Sequence, residues 1–67
     1  MKRVLIIEGM MCQNCAKHVR KALEKLDGVS FVRVDPEAGF AETEGSADAE
    51  AMRAAVEEAG YRVTEIR

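Results

Sequence analysis

With 67 residues, the chain is long enough for one small domain and leaves little room for an enclosed substrate pocket. A net charge of −2 argues against a nucleic-acid partner, and no apolar run is long enough to span a membrane. We therefore expect a single domain over residues 1–67 that binds no nucleic acid and does not insert into a membrane. The small size also disfavours an elaborate enzyme.

The chain opens with a short apolar segment. Residues 3–8 are rich in apolar and β-branched side chains, which predicts a strand. A secretory signal needs a longer apolar region and a small-residue cleavage site, and Glu8 interrupts the run too early for that. The sequence therefore favours the cytosol, where thiols stay reduced and a structural disulfide is disfavoured.

A helical period follows a loop over residues 9–13. From about Asn14 the apolar side chains recur every three or four residues, and Asp27 with Gly28 predicts the end of the helix. The apolar stripe of this helix consists of Cys15, Val19, Ala22, Leu23 and Leu26.

Two strands joined by a turn come next. Residues 29–35 alternate in part, with Val32 and Val34 on one face. Residues 35–39 have the composition of a turn, and a weaker third strand is predicted over residues 40–44.

A second helix and a last strand complete the pattern. Ser46 is the predicted N-cap of this helix, Gly60 ends it, and residues 61–66 form the last strand. The predicted buried stripe of the helix is Met52, Ala55, Val56 and Ala59. The order of elements predicts an α+β fold of the ferredoxin-like βαββαβ type, in which two helices cover one face of a four-stranded antiparallel sheet. On the open face we expect an apolar patch or dimer surface made of Val4, Ile6, Phe31 and Phe40.

The only two cysteines lie close together between the first strand and the first helix. Cys12 and Cys15 can point at a common centre, and a helix N-terminus lowers the pKa of a nearby thiol toward the thiolate that binds metal. Soft thiolates select Cu(I) and related ions. The structural alternative is a pair of buried thiols, but a loop with polar neighbours is a poor place for a core cysteine. A closed zinc site needs about four ligands, and His18 is the one other obvious candidate.

The run Gly9-Met10-Met11-Cys12-Gln13-Asn14-Cys15 resembles the Gly-Met-x-Cys-x-x-Cys motif of the heavy-metal-associated domain family. Residues 22–29 resemble the family's first helix and its exit, and residues 54–61 resemble its second helix and the following turn. The resemblance thus covers essentially the whole chain. The family includes small copper chaperones, amino-terminal modules of copper-exporting P-type ATPases and mercury-binding proteins.

The resemblance also implies roles for residues near the cysteines. Met10 is expected to pack inward and anchor the loop, while Met11 occupies the variable position and is expected to shield the site from water. Tyr61 is expected beside the first loop, where it either covers the thiolates or closes the core. His18 lies on a mostly basic helix and is more readily a solvated residue than a metal ligand.

We predict a cytosolic copper chaperone that binds Cu(I) through Cys12 and Cys15 and is not an enzyme. It would pass the ion by ligand exchange to the metal-binding domain of a copper-transporting P-type ATPase. Without metal it is expected to be a monomer, and a metal-bridged dimer is left open. The alternatives are a carrier for Zn(II), Hg(II) or Cd(II), a dithiol redox protein, and a module of a transporter. The initiating Met1 and the compact end at Arg67 favour a complete chain over such a module.

The charge distribution favours the chaperone over the transporter module. Basic residues gather on the first helix, whereas acidic residues gather on the second helix and the third strand. The basic set is Lys17, Arg20, Lys21 and Lys25, and the acidic set is Asp48, Glu50, Glu57 and Glu58 with Glu42 and Glu44. The plain alternative is that both helices simply have solvated faces.

Overall fold

Six elements follow one another in the order that the sequence predicts. The computed structural model describes residues 2–67, so Met1, where the predicted domain begins, lies outside the described residues. The elements are β1 (Lys2–Glu8), α1 (Gln13–Glu24), β2 (Val29–Asp35), β3 (Phe40–Gly45), α2 (Ala49–Glu58) and β4 (Arg62–Ile66). Neither helix in residues 2–67 has the length and apolar character needed to cross a membrane.

The four strands form one antiparallel sheet in the order β2-β3-β1-β4. The central strand β1 pairs with β3 on one side and with β4 on the other, and a register shift interrupts the second pairing between Ile6 and Ile7. Glu8 at the end of β1 lies opposite Arg62 at the start of β4. The loop after β1 and the loop before β4 therefore meet at the same end of the sheet, and this places the candidate site.

The core lies between the sheet and the two helices. In β1, Leu5 and Ile7 are buried, which matches the period of two of a strand with one covered face. In α1, Val19 and Leu23 are fully buried, one turn apart. Each such side chain contributes about 1.5–3 kcal/mol relative to an exposed one. The buried apolar residues are Leu5, Ile7, Met10, Ala16, Val19, Leu23, Ala41, Ala47, Met52, Val56 and Val63.

The predicted stripe of α2 is confirmed. Met52 and Val56 are fully buried, and Ala55 and Ala59 are half-buried beside them. Thr43 of β3 is the buried polar residue of this core, and its hydroxyl donates a hydrogen bond to the sulfur of Met52 at 3.4 Å. The hydroxyl is therefore satisfied without water.

The predicted start of α2 at Ser46 is wrong. Asp48 is the N-cap, and its side chain makes no capping hydrogen bond. The backbone N–H of Ser46 instead donates to the carbonyl oxygen of Gly28 at 2.7 Å, which holds this segment against the exit of α1. A Cβ added to Gly45 would overlap that same carbonyl. The close approach of Gly28 and Gly45 therefore sets the path of the chain, and the N-cap lies two residues later than predicted, at Asp48.

The open face of the sheet is less apolar than the sequence suggests. Glu42 lies in its middle and accepts hydrogen bonds from Lys2 at 2.7 Å and from Arg33 at 3.3 Å. The guanidinium of Arg33 also lies 5.6 Å from the ring centroid of Phe40. The four apolar residues predicted on this face do lie there, interleaved with these charges, and they are Val4, Ile6, Phe31 and Phe40. A continuous apolar patch is therefore absent from the described part of this face.

Candidate metal centre

The two thiols lie close together at the point where the loop after β1 enters α1. Cys12 is the N-cap of α1, in an extended conformation, and its carbonyl oxygen accepts the first helical hydrogen bond from the N–H of Ala16 at 3.0 Å. Cys15 lies one turn into the helix, and the Cys12 thiol donates to the Cys15 sulfur at 3.3 Å. Cys12 is exposed and Cys15 is half-buried. The cysteines predicted as ligands are thus brought together at a solvent-accessible helix N-terminus.

The surroundings of Cys15 favour its thiolate. The pKa of its thiol is lowered to about 7, first because the Tyr61 hydroxyl donates a hydrogen bond to the sulfur. Hydrogen bonds from the Cys12 thiol and from the backbone at Met11 and Cys12 add to this effect, while burial opposes it. Near neutral pH, Cys15 is therefore divided between thiol and thiolate, the form that binds soft metal ions.

Tyr61 reaches the thiols because of the turn before β4. Gly60 has a φ of +101° and reverses the chain after α2, and the N–H of Tyr61 donates to the carbonyl of Val56 at 3.3 Å. The Tyr61 ring lies over Gly9, where an added Cβ would sit 3.8 Å from its Cδ1 atom. Its hydroxyl donates to Cys15, which raises the pKa of the tyrosine. Both sequence hypotheses therefore apply, because the ring packs against the core and the hydroxyl contacts the site.

The two methionines of the loop have opposite environments. Met10 is 3% exposed and belongs to the core, which confirms its predicted role as an anchor. Met11 is 87% exposed, so its side chain extends into solvent. The prediction that Met11 shields the site is therefore wrong in this structure. Met10 is the methionine of the loop that joins the core cluster, and Met11 does not pack against it.

His18 does not join the thiols. It is exposed on α1 and lines the groove between α1 and α2 together with Lys21 and Glu58. Within residues 2–67, no group of three or more histidine, cysteine or acidic side chains is placed to hold a metal ion. The candidate donor set is therefore the two sulfurs alone, and the plain interpretation of His18 as a solvated residue is supported.

The backbone donors at Met11 and Cys12 are not among the site residues that the sequence predicts. The hydrogen bonds from the backbone at Met11 and Cys12 come from the loop's own main chain, whose course depends on tertiary contacts. The usable signal was the position of Cys12 at the helix boundary, since the first N–H groups of a helix have no partner within it.

Charge is divided between the helices as the sequence predicts. Lys17, Arg20 and Lys21 are exposed on α1, and this face begins within one turn of Cys15. The exposed acidic residues Glu57 and Glu58 lie at the end of α2. The loop over residues 9–12, which ends at Cys12, thus leads into a helix with an exposed basic face.

The fold and the thiol pair together define a small domain of the soft-metal-binding class. The chain belongs to the heavy-metal-associated domain family, whose model matches residues 4–62.

Three similar proteins illustrate the range of this family. The copper chaperone CopZ of Bacillus subtilis (strain 168) is 40% identical over 65 residues, which cover 92% of this chain and 94% of CopZ. A mercuric reductase of Shigella flexneri is 44% identical over 62 residues, which cover 90% of this chain but 11% of the reductase. The crystal structure of a copper-binding domain from HMA7, a P-type ATPase, superposes with a TM-score of 0.92 and 25% identity, over 100% of this chain and 95% of that one.

The contrast between the two methionines can be tested by a matched pair of variants. Met10→Ala should lower the free energy of unfolding by about 2–5 kcal/mol, because it removes a buried side chain and leaves a cavity. Met11→Ala should change it by no more than about 0.5 kcal/mol, since the side chain is exposed. Urea denaturation measures both values. Equal effects of the two substitutions would contradict the anchoring role of Met10.

The influence of Tyr61 on Cys15 predicts a change in pH dependence. Tyr61→Phe keeps the ring but removes the hydroxyl, so the pKa of Cys15 should rise from about 7 toward that of an ordinary thiol. If the pKa of Cys15 rises by about one unit, the thiolate fraction at pH 7 should fall roughly fivefold. The rate of alkylation by iodoacetamide should fall with it. Mass spectrometry of singly alkylated chains assigns the rate to each cysteine. An unchanged profile for Cys15 would show that the tyrosine does not act on the thiolate.

Proposed function

We propose that this protein is a copper chaperone that binds one Cu(I) ion through Cys12 and Cys15 and delivers it to another protein. The observation that carries the proposal is the thiol pair at an exposed helix N-terminus, with Sγ atoms 3.3 Å apart. The similarity to the CopZ chaperone over almost the full length of both chains supports the same function. We also propose that the 67 residues act as one domain in the cytosol.

The donor set favours Cu(I) as the cargo. Thiolates are soft ligands and prefer soft ions, and Cu(I) accepts low coordination numbers. A structural zinc site would need about four ligands, and residues 2–67 bring only two thiols together. The second candidate is another soft or borderline ion, Hg(II), Cd(II) or Zn(II). The similarity to a mercuric reductase supports Hg(II) as an alternative cargo. That similarity covers about a ninth of the enzyme, so it gives no support for reductase activity in this chain.

Delivery would proceed by exchange of metal–sulfur bonds. A thiolate of the acceptor binds the exposed ion to give a three-coordinate intermediate, and one chaperone thiolate then leaves with its electron pair. Cys12 is the better placed leaving group because it is exposed, whereas Cys15 is half-buried under Tyr61. No bond other than metal–sulfur bonds changes, so the proposed function is not enzymatic. The same exposure would let an ion bridge two copies of the chain.

The basic face of α1 supports an acidic acceptor. Lys17, Arg20 and Lys21 are exposed on α1 in the two turns that follow Cys15, so they would lie near an acceptor whose thiolate approaches the site. Opposite charge on the partner would steer the encounter and raise its rate more than its affinity. The acceptor we propose is the metal-binding domain of a copper-transporting P-type ATPase, and the likeness to the HMA7 domain supports a partner with this same fold.

The two-thiolate site can be tested by single substitutions. Cys12→Ser and Cys15→Ser should each abolish tight Cu(I) binding, because a hydroxyl is a harder and less acidic ligand than a thiol. Anaerobic titration against a competing Cu(I) chelator measures the affinity, and His18→Ala serves as the control that should bind normally. Tight binding by Cys15→Ser, or its loss in His18→Ala, would contradict the proposed ligand set.

The docking face can be tested by reversing its charge. Lys17→Glu with Lys21→Glu should slow Cu(I) transfer to an acidic acceptor domain about tenfold or more at low salt while leaving Cu(I) affinity unchanged. The matched control is Lys25→Glu with Arg67→Glu, which changes the net charge equally, with Lys25 about 15 Å along α1 from Cys15.

Stopped-flow transfer at about 0.01 M and 1 M salt provides the measurement, since the Debye length falls from about 30 Å to about 3 Å. The wild-type rate should fall with salt toward that of the variant. If both the reversal and the salt leave the rate unchanged, α1 has only a solvated face. An equal loss in the control pair would show an effect of net charge alone.

A further inference from the structure

A second groove of the molecule lies on the side of α1 away from α2. It runs between α1 and β2 and is lined by Gln13, Ala16, Lys17 and Arg20 on the helix and by residues 31–34 on the strand. One wall of this groove is therefore a basic stretch of helix, and the other wall is the outermost strand of the sheet.

The strand wall has the hydrogen-bonding capacity to pair with another chain. β2 stands at the end of the strand order and pairs with β3 along one side only. In an antiparallel strand, part of the N–H and C=O groups point to each side, so the outward set of β2 lies along the outer edge of the sheet, beside the groove. The N–H of Val29 and the carbonyl of Asp35, at the two ends of β2, are bonded to Leu26 and Gly39. The middle of the strand, residues 31–34, is the part that can act as a template for one more strand.

The side chains around this edge carry positive charge. Lys17, Arg20 and Arg33 line the groove, and its described lining includes no carboxylate. The guanidinium of Arg33 is bound to Glu42 on the open face of the sheet, so Lys17 and Arg20 supply the charge on the helix side of the groove. The acidic residue of β2 itself, Asp35, is turned away, because its carboxylate accepts a hydrogen bond from the N–H of Ala38 inside the β2–β3 turn. Arg20 is bound to Glu24, but that pair is exposed and therefore weak.

This charge selects the kind of strand that could pair there. Two copies of the chain pairing through β2 would bring Lys17 and Arg20 of each copy against the same residues of the other, and such like charges oppose association. An acidic segment would instead be attracted by Lys17 and Arg20. The cations thus protect the edge from self-pairing while favouring a partner of opposite charge.

We propose that β2 binds an acidic, extended peptide segment of a partner protein by adding it to the sheet as a fifth strand. Main-chain hydrogen bonds would supply affinity, and alternate side chains would supply specificity. Side chains of the segment that face the helices would be acidic, opposite Lys17 and Arg20. Those on the open face would meet the ring of Phe31, which is 45% exposed, and so would be apolar.

This surface needs neither the thiols nor a metal ion. It does share Lys17 and Arg20 with the basic face proposed to dock the Cu(I) acceptor. The experiment therefore uses the reduced, metal-free chain and a free peptide, so that peptide binding and Cu(I) transfer can each fail alone.

The probe is a fluorescent seven-residue peptide in which glutamate alternates with valine and threonine. Anisotropy measures its affinity, and amide NMR locates it on the chain. One control peptide has lysine in place of glutamate, and the other keeps the glutamates but has proline in place of valine, which removes N–H donors. The first protein variant is Lys17→Glu with Arg20→Glu. Its matched control, Lys21→Glu with Lys25→Glu, makes the same charge change on the side of α1 that faces α2.

We expect the glutamate peptide to shift the amide signals of residues 31–34 and to slow their exchange with solvent. The first variant should weaken binding about tenfold, and the matched control should change it less than about twofold. Both control peptides should bind at least about tenfold more weakly.

Four results would overturn the proposal. The first two are no binding of the glutamate peptide and equal binding of the proline peptide. The third is an equal loss in both protein variants, which would indicate attraction by net charge alone. The fourth is pairing of two copies through β2 in the absence of peptide.

Discussion

The burial of Met10 is the constraint on which the site depends. In a domain with so few buried side chains, a residue that is 3% exposed in a loop fixes where the chain passes from β1 to α1. The next residue, Met11, is exposed, and Cys12 and Cys15 follow at the start of the helix, the first exposed and the second half-buried. The same packing that stabilises the domain therefore keeps the thiols at the surface.

The second support of the site comes from the far end of the sequence. Pairing of Glu8 with Arg62 brings the turn before β4 beside the loop after β1, and Tyr61 lies over Gly9 as a result. The Tyr61 hydroxyl then donates a hydrogen bond to the sulfur of Cys15, which lies 46 positions earlier in the chain. This hydrogen bond is the largest cause of the lowered pKa of Cys15. The thiolate is thus favoured by the tertiary fold, while the Cys12 thiol stays exposed to solvent. This combination suits a carrier better than a structural site.

Much of this could be predicted from the sequence, because the signals are local. The change of period from two to 3.6 near Asn14 predicted a helix, and the order of elements predicted the sheet and its covered face. The position of the cysteines at a helix start predicted their meeting. Such patterns depend only on neighbouring residues, so no knowledge of distant contacts was needed.

The predictions that proved wrong concern features that depend on contacts between residues far apart in the sequence. Ser46 looks like an N-cap, but the carbonyl of Gly28 binds its N–H, and the helix begins later. Met11 was expected to cover the thiols, but Met10 joins the core whereas Met11 is exposed. Glu42 breaks up the predicted apolar patch because two cations on neighbouring strands converge on it. Each of these outcomes depends on residues that are brought together only by the fold.

The most direct test of the account is the coordination of the bound ion. X-ray absorption of the chain loaded anaerobically with one equivalent of Cu(I) reports the atoms around the metal. The account predicts two sulfur neighbours per copper at this loading, and their complete loss when Cys12 and Cys15 are both replaced by serine. A nitrogen neighbour in the monomer, or an unchanged sulfur signal in the double variant, would contradict a site made of these two thiolates.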